Sequence, residues 1–138
     1  MDTLEIYKSF NSDKSIEELQ YNILKESTNL DNLKFELQFY KLLLNKSIYK
    51  PHALNLYERL TGFKNEITSI NKKGMSLLNE LNTQAHQIRN KIECDDMACD
   101  NFFIKNHDNI ELKVFNFKTQ VFNFKFRLFQ YLQSVIIN

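Results

Sequence analysis

VFNFKTQVFNFKFRLF, residues 114–129, carries the pentapeptide VFNFK twice, the second copy starting seven residues after the first. Val and Phe favour strands, so a hairpin is the immediate reading. A hairpin needs a turn between the copies, and Lys118, Thr119 and Gln120 supply no Gly, Asn, Asp or Pro there. Seven residues are also close to two helical turns, and the pattern continues outward from the repeat on that period. Phe103, Ile110, Val114, Phe117, Val121, Phe124, Leu128, Tyr131 and Val135 form a seam, with alternating three-and-four spacing unbroken from Ile110 onward. The stretch therefore reads as the middle of a long helix.

The first Phe of each copy falls off that seam. Phe115, Phe122, Phe129 and Ile136 make a second stripe about 100° around the helix. Together the stripes cover about 160° of the circumference, more than a two-stranded coiled coil uses, so this helix must meet more than one neighbour. Two upstream segments supply those neighbours. Ile16, Leu19, Ile23, Leu30, Leu33, Leu37, Tyr40 and Leu44 keep heptad spacing with a polar gap at Glu26, and Ser15 with Glu18 forms a capping box at their start. Leu56, Leu60, Phe63, Ile67, Ile70, Gly74, Leu77 and Leu81 form the other seam, which shifts through Ala85, Ile88 and Ile92. Gly62 and Gly74 both lie inside it, and Gly74 falls on the seam, where a close backbone approach or a kink competes with an interior Gly that is merely tolerated.

Pro51 disfavours helix at Lys50 and suits the first turn of a following helix, which sets the first boundary. Asp95 and Asp96 can cap a helix start, while residues 106–109, Asn-His-Asp-Asn, are a rival break. A break near Asp96 gives helices of about 13–49, 52–94 and 97–137, all ~55 to 65 Å long and preceded by a tail at 1–11. Matched lengths and short connections predict an all-α fold, an elongated antiparallel three-helix bundle with coiled-coil-like packing, in a single domain over 1–138.

Composition agrees. The 138 residues are 43% hydrophobic and 25% charged, a globular balance, and only two Gly and one Pro leave too few turn residues for an all-β or α/β chain. Seventeen Asn and twelve Phe reflect AT-rich codon usage in part, which discounts Phe abundance by itself. No run approaches the ~18 apolar residues of a membrane span. The first ten residues lack both a basic region and a continuous apolar core, so no secretory signal is expected. Two cysteines make no disulfide framework, which points to the cytoplasm, and a net charge of +1 gives no global argument for nucleic acid.

Three surfaces compete for function. The Phe flank, Phe115, Phe122, Phe126, Phe129 and Ile136, suits a second copy of the chain, a dimer first, or another protein. Between Leu112 and Asn138 the chain has Lys113, Lys118, Lys125 and Arg127, no acid and seven aromatics, the raw material for single-stranded nucleic acid or an anionic membrane. Against this, Val114, Phe117, Val121 and Phe124 are seam positions that a bundle buries. Third, a reversal near Asp96 matches Cys94 with Cys99, Glu93 with Asp100 and His86 with His107 in height, residue types that hold zinc or iron. The histidines would stand ~15 Å along the helices from the turn, too far to share a metal with the thiols. His107 falls on the seam, where a hydrogen-bonded, partly buried histidine is expected. No phosphate loop, HExxH, GxSxG or EF-hand pattern is present, and neither enzyme activity nor a cofactor is expected. The reading that follows is a non-enzymatic structural or interaction bundle that self-associates.

Overall fold

The computed structural model describes residues 15–91 and 97–138, apart from the side chains of 88–91, 97–101 and 103. Three helices account for most of them: α1 (Ile16–Leu44), α2 (Leu56–Lys91) and α3 (Met97–Val135). The VFNFK repeat lies inside α3, and so do residues 106–109, the rival break. A helix tolerates Asn106 to Asn109 because His107 and Ile110 are buried and hold that turn against the other helices.

Paired contacts fix the directions. Along α3, Lys118 Nζ lies 2.7 Å from Glu26 and Lys125 Nζ 2.9 Å from Glu36, so α1 and α3 climb together. Lys113 Nζ lies 2.9 Å from Glu80 and Arg127 Nη1 3.0 Å from Glu66, so α2 descends between them. This is the antiparallel up-down-up bundle.

The core follows the three seams closely. Leu19, Ile23, Leu30, Leu37, Tyr40 and Leu44 are buried from α1, Phe63, Ile67, Ile70, Leu77, Leu81 and Ala85 from α2, and Ile110, Val114, Phe117, Val121, Phe124, Leu128, Leu132 and Val135 from α3, where Leu132 is buried and the seam residue Tyr131 only partly so. Phe124 and Leu128 have no exposed surface, and the Phe124 ring meets Phe63 edge-on with centroids 6.1 Å apart. Gly74 does mark a close approach. A Cβ built there would stand 3.2 Å from Cζ of Phe117, so the missing side chain makes room for a buried ring of α3.

The helix ends differ from the sequence expectation, and each difference has a local cause. The N-terminal cap holds: Ser15 Oγ accepts from the Glu18 N–H at 3.1 Å. The first helix stops at Leu44 rather than Tyr49, because the Asn45 side-chain amide caps the Lys41 carbonyl at 3.0 Å and the Tyr49 hydroxyl takes the Leu43 carbonyl at 2.6 Å. Polar side chains next to the chain's end-turn thus terminate it before Pro51 can. Pro51 is not in the first turn of α2. That helix begins at Leu56, after Asn55 adopts a left-handed φ of 56°, a conformation Asn tolerates better than most residues.

Residues 45–55 therefore form a real connection that crosses the end of the bundle. Tyr49 pairs with Ile136 in an isolated antiparallel bridge, Lys50 N–H donates to the Val135 carbonyl at 2.7 Å, and Ile137 N–H to the Ile48 carbonyl at 2.8 Å. The third helix consequently ends at Val135 rather than residue 137. With 29, 36 and 39 residues the helices are less evenly matched than expected, and the connection fills the space beyond α1. Residues 92–96, with the exact end of α2, and residues 1–14, which include the expected tail at 1–11, lie outside the described residues.

Candidate interaction surface

The Phe flank of α3 divides when placed against the bundle. Phe115 and Phe126 are partly buried, whereas Phe122 is 53% exposed and Phe129 44% exposed. Phe129 is held edge-on against Tyr40 of α1, with centroids 5.6 Å apart. Ile136 has left the helix and packs against the core beside Tyr49, so it closes the bundle end. The flank is thus two exposed rings on the α1-facing side of α3, with two more half-covered.

The structure adds a surface that the single-seam reading of α1 misses. Tyr21, Leu24, Phe35, Phe39 and Leu42 all lie 49% exposed or more. On a helical projection at about 100° per residue they gather within about 60°, opposite the buried seam. The signal was present: Tyr21, Leu24, Thr28, Asp31 and Phe35 repeat the three-and-four spacing, but Thr28 and Asp31 break its apolar character. Phe39 adjoins Tyr40 with centroids 6.1 Å apart and Tyr40 meets Phe129, so the exposed rings of α1 and α3 are linked through a buried one.

Between these helices the face is a groove. Asn29, Asn32, Leu33 and Glu36 line one wall and Lys118, Phe122 and Lys125 the other, around a hollow of about 310 Å³. Lys125 bridges it to Glu36, whose carboxylate also accepts the Tyr40 hydroxyl. Burial raises the Glu36 pKa, but the Tyr40 and Lys125 hydrogen bonds outweigh it and hold the carboxyl below its ordinary value. The Tyr40 hydroxyl is pushed well up, by burial first and then by that carboxylate.

All four cations of the acid-free C-terminal stretch meet acids from other helices: Lys113 meets Glu80, Lys118 Glu26, Lys125 Glu36 and Arg127 Glu66. Glu26, the polar gap in the first seam, is thereby explained. A segment that reads as a basic stripe in one dimension is one half of an interhelical charge ladder in three.

The metal hypothesis is not assembled by the described residues. His107 is 3% exposed, with Nε2 3.0 Å from Glu111 Oε2, while His86 is exposed on α2. Among the described residues no three His, Cys, Asp or Glu side chains converge on one point. Cys94 falls outside the described residues, as do Glu93 and the side chains of Cys99 and Asp100.

A hollow of about 510 Å³ lies between α2 and α3 and is lined by Glu58, Arg59, Gly62, Phe63, Glu66, Arg127, Gln130 and Tyr131. Its Arg59 guanidinium stacks 4.7 Å from the Tyr131 ring centroid, and Arg127 is taken by Glu66. These contacts hold α2 and α3 together. No described helix is long and apolar enough to cross a membrane. Comparison with protein families, with curated proteins and with solved structures finds no match to this chain.

Proposed function

We propose that the chain is a non-enzymatic interaction bundle that self-associates through the aromatic face on which the Phe flank of α3 stands. The observation that carries this is the exposure of Phe122 and Phe129 on α3, with a second exposed apolar stripe on the outer side of α1. Exposed aromatic and aliphatic side chains in this number favour association with another chain. A reducing, cytoplasmic setting belongs to the same proposal, supported by the sparse cysteine usage. Sedimentation equilibrium over a hundredfold concentration range tests it. The mass should rise toward a dimer, and a Phe122→Ser, Phe129→Ser variant should stay single. A wild-type mass of one chain throughout would end the proposal.

Association with nucleic acid or anionic lipid is the second reading. It is favoured only by the basic, aromatic composition of residues 112–138, and the pairing of each of those cations with an acid weakens it. Metal binding near Cys94 to His107 is the third, tested by elemental analysis of protein purified without added metal.

A further inference from the structure

Bundle packing accounts for neither Gly62 nor Arg59, and both line the hollow between α2 and α3. An interior Gly weakens a helix relative to Ala. At Gly74 the Phe117 ring gives the reason, whereas a Cβ added at Gly62 meets nothing within 4 Å. The missing side chain at Gly62 instead leaves room in the hollow. Its volume of about 510 Å³ falls in the range of about 300–1,000 Å³ that small-molecule sites occupy.

Arg59 is held flat rather than paired. Its guanidinium lies 4.7 Å from the Tyr131 ring centroid and 5.7 Å from that of Phe63, and those two rings meet with centroids 5.6 Å apart. The ring faces attract the cation but do not use its fork of N–H donors as a carboxylate does. Among the described residues no carboxylate stands within ion-pair distance of Arg59. Glu66, which lines the same hollow, is taken by Arg127, whose Nη1 lies 3.0 and 3.1 Å from its two oxygens. An immobilised guanidinium with its donors unclaimed is therefore set beside open space.

The lining limits what can enter. Glu58 and Glu66 balance Arg59 and Arg127, so the hollow offers no net positive charge to a phosphate or a polyanion. The planar fork matches a carboxylate through parallel N–H···O bonds. The ring-lined wall and the room at Gly62 suit a flat apolar body. We propose that this hollow binds a small organic monocarboxylate with an aromatic body, its carboxylate on Arg59 and its ring over Gly62. The site shares no residue with the Phe flank of α3, so it stands or falls separately from self-association.

Titration of the full, isotope-labelled chain with phenylacetate, with its neutral analogue phenylacetamide and with inorganic phosphate, followed by amide chemical shifts, tests this. Phenylacetate should give saturable shifts at amides around Gly62 and Gln130, and phenylacetamide and phosphate should bind at least about tenfold more weakly. Arg59→Gln should weaken phenylacetate about tenfold or more with helix content unchanged. Arg59→Lys should recover only part of the loss, because an ammonium keeps the charge without the fork. Gly62→Leu, which grows a side chain into open space, should abolish binding, and the Arg59 variants carry the test if that chain does not fold. No saturable shift up to about 20 mM phenylacetate would overturn the site. So would equal binding of phenylacetamide or phosphate, an unchanged dissociation constant in Arg59→Gln, or shifts centred on Phe122 and Phe129 instead.

Discussion

The two glycines look alike in the sequence and are opposites in the structure. Gly62 has nothing within 4 Å of an added Cβ, so Gly62→Ala should raise stability by about 0.5–1 kcal/mol through helix propensity alone. Gly74 faces Phe117 at 3.2 Å, and Gly74→Val should lower stability by about 1–3 kcal/mol as the buried ring is forced aside. Chemical denaturation of both variants checks the pair, and equal effects would contradict the close approach. Glu36 gives a signed pH effect. Its folded pKa lies below the ordinary 4.5, so its contribution is full above that value and is lost as pH falls through the lower folded one. Unfolding free energy measured from about pH 5 to about pH 3 should therefore fall less steeply in Glu36→Gln than in the parent chain.

At the bundle end, three segments close on each other through backbone hydrogen bonds. Ile137 N–H to Ile48 and Lys50 N–H to Val135 tie the α1–α2 connection to the end of α3. Ile137→Pro removes the first donor, and hydrogen exchange at Lys50 should accelerate about tenfold while amides beside Phe124 keep their protection. Global acceleration would mean that the bridge is part of the main cooperative unit. The helices themselves are readable from period: the seams of α1 and α3 follow from apolar spacing, and the break before Met97 from matching the helix lengths, since Asp95–Asp96 and residues 106–109 are rival breaks. Their ends are not, because Pro51 marks a breaker in the sequence while the terminating bonds come from Asn45 and Tyr49, and the Tyr49 bond depends on how the connection folds back.

Across the whole molecule, charge is the property that the linear reading most misjudged. Lys113, Lys118, Lys125 and Arg127 form a basic stripe only until α1 and α2 bring Glu80, Glu26, Glu36 and Glu66 beside them. These pairs are largely solvent-facing and each contributes under about 1 kcal/mol, so they act on register more than on stability. The expectation is no binding to single-stranded oligonucleotides at low salt, measured by fluorescence anisotropy. Salt-sensitive binding would show that those cations are available after all. Repetition at three and four, capping residues and the scarcity of Gly and Pro are local facts, and they were enough for the three helices, the buried seams and the antiparallel order. Which cations are neutralised and that Ile136 closes the bundle depend on residues 33 to 92 positions apart, and that α1 carries an exposed apolar face depends on what the other helices leave uncovered. Periodicity states which side of a helix is apolar, whereas burial depends on what covers that side, and covering is a property of the assembled bundle.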